Sequence, residues 1–174
     1  LALVIGAMIP AGIQAQEGQE GMTRQKARDM AFSQLSQQEQ KTVIAMLKKL
    51  FKEAKGKAED SIRESGSMVP YGYAMNQAGE GQFLHINPEQ NLKAEVAVHA
   101  IQKSIVTNAI RGNLAASGLF MTMGMPSGID DETRQELEES IGGDRSLEDV
   151  RFLMVELQHL GGLGLLMMVP YWQA

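Results

Sequence analysis

The sequence predicts a single α+β domain, a roughly five-stranded and mainly antiparallel sheet covered by helices. Three observations carry that expectation. Segments with apolar residues at helical spacing are followed by segments in which they alternate, glycine-rich turns join strand-like runs directly, and one helical segment is apolar on two sides.

From Thr23, the residues Ala27, Met30, Ala31 and Leu35 recur at helical spacing. Ser36-Gln-Gln-Glu39 then supplies a capping box, in which a hydroxyl and a carboxylate satisfy backbone donors at a helix start. The longer helix that begins there has Val43, Leu47, Leu50, Ala54 and Ala58 as its apolar stripe, with Lys48, Lys52 and Lys55 on the other side. Gly56 weakens its last third, and it should stop before Gly66.

SMVPYGYAMN, a turn at QAGEG and QFLHI read as a hairpin, because Val69, Tyr71, Tyr73 and Met75 alternate with smaller or constrained residues. Pro70 belongs at a strand start or an edge. Asn87-Pro88-Glu89 is a helix-start signal, and the helix it opens should run to about Ile110. One stripe of that helix holds Ala94, Ala97, Val98, Ile101, Ile105 and Ala109; a second holds Leu92, Val96, Val106 and Ile110, with His99 in its middle. A helix apolar on both sides needs cover on both sides. The first stripe should lie on the sheet, and the second should meet the N-terminal helix or a second copy of the chain.

AASGLFMTMGM predicts a third strand, with Leu119, Met121, Met123 and Met125 on one face and Gly118, Phe120, Thr122 and Gly124 on the other. The acidic stretch SGIDDETRQELEESIGGDRS reads as a solvated excursion with room for one short helix. VRFLMVELQHLGGLGLLMMVPYW then gives two strands around a turn at Gly161 and Gly162. This order, α-α-β-β-α-β-β-β, is similar to that of roadblock-like and profilin-like domains. The resemblance is one of topology and implies the same layering of helices on a sheet.

Residues 1–15, LALVIGAMIPAGIQA, read as a secretory signal peptide with a truncated start: the apolar run is shorter than the ~20 residues of a bilayer span, and Ile13-Gln14-Ala15 suits cleavage. Residues 16–22 follow as a flexible N-terminus, and residues 23–174 form the domain. The expected location is therefore periplasmic or secreted, without stable membrane insertion after processing. The chain has no Cys, which removes disulfides, thiolate catalysis and sulfur-based zinc sites. The formal net charge is -5, with basic residues in excess between Arg24 and Glu64 and acidic ones between Ile129 and Val150. The lysines of KKLFKEAKGK are interleaved with Glu53 and Glu59, and with export this argues against a nucleic-acid partner.

No G-x-S-x-G or Ser-x-x-Lys motif is present, and Ser104 and Ser117 have no histidine beside them in sequence. Asp130, Asp131 and Glu132 lack the alternating oxygens of a calcium loop, and Gly161-Gly162-Leu163-Gly164 is followed by no helix that could bind an anion. Glu156 and His159, three apart on a strand, point to opposite faces and are poor co-ligands. Met121, Met123 and Met125 could offer three thioethers to Cu(I), or could fill the core beside Leu119, Val155, Leu165 and Met167.

The sequence thus points to an exported, non-enzymatic interaction or ligand-binding domain that self-associates or binds a protein partner through Leu92, Val96, His99, Val106 and Ile110, with no cofactor. The alternatives are a periplasmic Met-rich copper-binding protein and a hydrolase with a site around His85 or His159.

Overall fold

The structure is a computed structural model that describes residues 30–87, 92–124, 128, 130–141 and 149–172. The signal-like segment 1–15, the tail 16–22, the Pro88-Glu89 pair and Met125 lie outside the described residues.

Residues 30–33 are helical, and Ser36 then starts the long helix α1, Gln37–Ser65. Its capping box is formed as the sequence predicts: the Glu39 amide donates to Ser36 Oγ, and the Ser36 amide donates to the Glu39 carboxylate. Hydrogen bonds from Ser36 hold that carboxyl below the usual glutamate range. At the other end Gly66 adopts a left-handed φ of 69° and returns its amide to the carbonyl of Ile62, the closing geometry that glycine permits.

The sheet follows as β1 (Tyr71–Met75) and β2 (Gly81–Leu84), then helix α2 (Ala94–Ile110), β3 (Ala116–Met123), helix α3 (Asp131–Ile141), β4 (Arg151–His159) and β5 (Gly164–Tyr171). The strand order is β2-β1-β3-β4-β5, and every neighbouring pair is antiparallel. The acidic stretch does contain one short helix: Asp130 caps α3 by accepting the Thr133 amide at 2.8 Å and the Thr133 hydroxyl at 3.0 Å. Those bonds lower the pKa of its carboxyl.

One face of the sheet is closed by α1. Leu47, Leu50, Ala54 and Ala58 meet Tyr71, Tyr73, Met75, Phe120, Val155 and Leu157 in the main core. Tyr71 stacks on Phe120 with ring centroids 4.9 Å apart, and its hydroxyl donates to the buried carbonyl of Ala54. The opposite face receives α2 over β1 and β3. Two glycines allow the two helices to approach. A Cβ on Gly118 would lie 2.8 Å from Leu50 Cδ2, and one on Gly72, facing the other way, 2.6 Å from Ile101 Cγ2.

The second helix is described from Ala94, with Lys93 at its N-cap making no side-chain cap hydrogen bond and Ala97 and Ile101 buried against the sheet; the Pro88-Glu89 start signal lies outside the described residues. One expectation needs correction: Val155, Leu165 and Met167 do not share the face of Leu119 and Met121. Phe120 is opposite Val155, and Val155 opposite Met167, so those residues share the α1 face with Leu165. Leu119, Met121 and Met123 face the other way. Parity within a strand is legible in sequence, whereas the relative register of two strands is fixed by pairing.

Candidate functional site

The two stripes of α2 separate as the helix settles on the sheet. Ala97 and Ile101 are buried beneath it, whereas Val96 is 50% exposed, Val106 56% and Ile110 81%. Leu92, two residues ahead of the helix, is 41% exposed. His99 is exposed between them. A surface helix ordinarily turns charged and polar side chains outward. Here the outward row is apolar at both ends, with His99 and Lys103 between.

Beside this row lies an open groove of about 490 Å³, lined by Phe83, Leu84, His85 and Ile86 on one wall and by Ile101 and Ser104 on the other. It runs along the free edge strand β2. His85 and Ser104 thus share a groove, but its lining holds no carboxylate among the described residues.

His85 is instead engaged by Lys57. The Lys57 Nζ lies 2.9 Å from Nδ1 and 3.3 Å from Nε2 of the same imidazole. An ammonium that close to both ring nitrogens cannot lie in the ring plane without striking the carbon between them, so it sits over the ring face. Lys57 is also 5.4 Å from the ring centroids of Tyr71 and Phe83, and Phe83 stacks on His85 at 5.5 Å. The chain's own lysine occupies a three-ring enclosure that ties α1 to the sheet edge, each cation–π contact contributing roughly 0.5–1 kcal/mol at such exposed positions. Burial, then the Lys57 charge, holds the His85 imidazole below its ordinary range, and burial lowers Lys57 as well.

His159 has a local role. It ends β4, and its Nδ1 accepts the Gly161 amide at 2.8 Å, so it closes the β4–β5 turn as an unprotonated ring. Burial lowers its pKa. Glu156 lies on the other face, as the strand parity predicts, and accepts a hydrogen bond from Gln158. Ser117 is buried in β3.

Met121 and Met123 are on β3, facing away from the core, and both are half-buried. They are not core filling under α1, and Met125, the third methionine of that sequence group, lies outside the described residues. The sheet brings two other methionines to them: Met121 is directly opposite Met154, and Met154 directly opposite Met168. Strand spacing in sequence carries no sign of that cross-strand row. A second open cavity of about 550 Å³, at the β1–β2 turn and the end of α2, is lined with amide side chains including Asn76, Gln82, Asn108 and Asn113.

No group of three or more His, Cys, Asp or Glu side chains is placed to hold a metal ion among the described residues. No described helix is long and apolar enough to cross a membrane. Compared with known protein families, with curated proteins and with solved structures, the chain matches none of them.

Proposed function

We propose that this chain is a non-enzymatic interaction domain that self-associates through the outer row of α2. The observation that carries the reading is the order of side chains along that row. If two copies of α2 pair antiparallel about Ile101, Leu92 of one copy lies opposite Ile110 of the other, Val96 opposite Val106, and His99 opposite Lys103. In a two-fold interface each pairing occurs twice, and this register sets apolar against apolar side chains at both ends of the row.

The row from Val96 to Ile110 is about 21 Å long and a helix about 10 Å wide, which alone falls well short of the ~800 Å² per partner of a stable interface. The groove beside it, with Phe83 exposed on the edge strand, extends the surface. The dimer is therefore weak, with a Kd on the order of micromolar. The apolar run of residues 1–15 supports an exported setting, periplasmic or secreted. Native mass spectrometry over a concentration series tests both ideas. A reversible dimer of chains beginning at Gln16 is expected; an invariant monomer at every concentration would overturn self-association, and an uncleaved chain would overturn export.

A further inference from the structure

We propose that Met121, Met154 and Met168 form a thioether site for one Cu(I) ion on the sheet face turned away from α1. The three residues sit directly opposite one another on the adjacent strands β3, β4 and β5. Direct opposition puts their Cβ atoms on one face, with neighbours ~5 Å apart. The outer pair, Met121 and Met168, is then about 10 Å apart at the backbone. A methionine reaches about 3 Å beyond Cβ to its sulfur, given bonds of about 1.5 Å. Met121 and Met168 leaning over Met154 bring three sulfurs to roughly 4 Å from one another, the separation around a single ion with metal–sulfur bonds near 2.3 Å.

The surroundings suit a soft, singly charged ion. All three side chains are half-buried, open enough to be loaded and shielded enough to exclude most water. Met123 lies one row further along β3 on the same face, beside the fully buried Phe152, and offers a fourth thioether. Thioethers prefer Cu(I) to harder divalent ions. The chain has no Cys that could compete for the ion.

Thioether ligation has a signature that a histidine or carboxylate site lacks. A thioether carries no proton to displace, so its affinity for metal does not fall as the solution is acidified. The test is an anaerobic competition titration of the full chain with Cu(I) against a chromophoric Cu(I) chelator at pH 7 and pH 5, with the chelator's own pH dependence corrected. X-ray absorption of the loaded protein reports the ligands. One ion per chain is expected, with sulfur-only scattering and the same affinity at both pH values. Met154→Leu, which conserves volume, removes the central ligand and should weaken binding tenfold or more, whereas Met167→Leu on the α1 face should leave it unchanged. Binding no tighter than the chelator background would overturn the site and leave the methionine row as adaptable packing. Nitrogen or oxygen scattering, or equal affinity for the native protein and a folded Met154→Leu, would do the same.

Discussion

Replacing Val106 by glutamate on the outer row of α2 should abolish the dimer while leaving the fold intact. Val106 is 56% exposed in the single chain, so covering it returns about half of the ~2 kcal/mol that full burial of a valine contributes, or ~1 kcal/mol. Two-fold symmetry counts that loss twice. The two glutamates then face the second copy's Val96, and moving a charge out of water against an apolar partner costs a few kcal/mol more, only partly offset by Lys103 one turn back on the same helix. A conservative total of ~4 kcal/mol raises Kd about a thousandfold, from micromolar into the millimolar range. Sedimentation equilibrium from roughly 1 µM to 1 mM, a thousandfold range that takes in both Kd values, reads this directly, with circular dichroism to check folding. Ile44→Glu is the control: Ile44 is 39% exposed on α1, across the sheet from the proposed interface, and its replacement should leave association unchanged. Association surviving Val106→Glu, or lost equally in both variants, would refute the assignment to α2.

Gly72→Ala should destabilise the fold by about 1–3 kcal/mol in denaturant unfolding, because the new methyl would lie 2.6 Å from Ile101 Cγ2 and 3.2 Å from Leu84 Cβ. Added to Ile101→Ala it should cost clearly less than on its own, since the two residues contend for one space; simple additivity would place α2 elsewhere on the sheet. In an NMR titration His85 should change charge below the ordinary histidine range of ~6.5, and Lys57→Gln should move it back up. The sign for stability follows. His85 and His159 both have lowered pKa values in the folded chain, so their contribution is complete above the unfolded value and is lost as pH falls through the folded ones. A chain equally stable at pH 7 and pH 5 would contradict that arrangement. His99→Leu should tighten the dimer, because it replaces a polar ring in the middle of the apolar row with an apolar side chain; an unaltered dissociation constant would separate His99 from the interface.

The parts of the fold that local chemistry dictates were legible in the sequence. The Ser36 and Glu39 box, the Gly66 stop, the alternation of Tyr71, Tyr73 and Met75, and the Gly161-Gly162 turn each depend on a few neighbouring residues, and each stands where the spacing puts it. The two stripes of α2 were legible for the same reason, since a helix displays its faces at a fixed angle per residue. What the sequence could not give was set by partners far along the chain. The pairing of Phe120 with Val155 rather than Leu119 with Val155 is decided by strand register, and a shift of one residue exchanges every side chain between the faces. That is why spacing alone groups Met121 with its sequence neighbours Met123 and Met125, although the sheet places it in one row with Met154 and Met168. The enclosure of Lys57 by Tyr71, Phe83 and His85 was equally hidden, because it joins α1 to an edge strand and its neighbours through side chains that share no local pattern.

The division of the sheet into two unlike faces narrows where any function of this chain can act. The α1 face is spent on the core, where Leu50, Ala54, Met75, Phe120 and Val155 are almost entirely removed from solvent. The opposite face is shared: α2 takes β1 and β3, and the methionine row runs on across β4 to β5. The two proposals therefore occupy neighbouring ground on one side of the molecule, and their relation can be decided. The outer row of α2 points away from the sheet, so a two-fold pairing through it leaves the methionines open, and the Val106→Glu monomer should bind as much Cu(I) as the dimer. If the monomer instead lost the ion, the second copy would have to contribute to the site, and the pairing about Ile101 would be the wrong one.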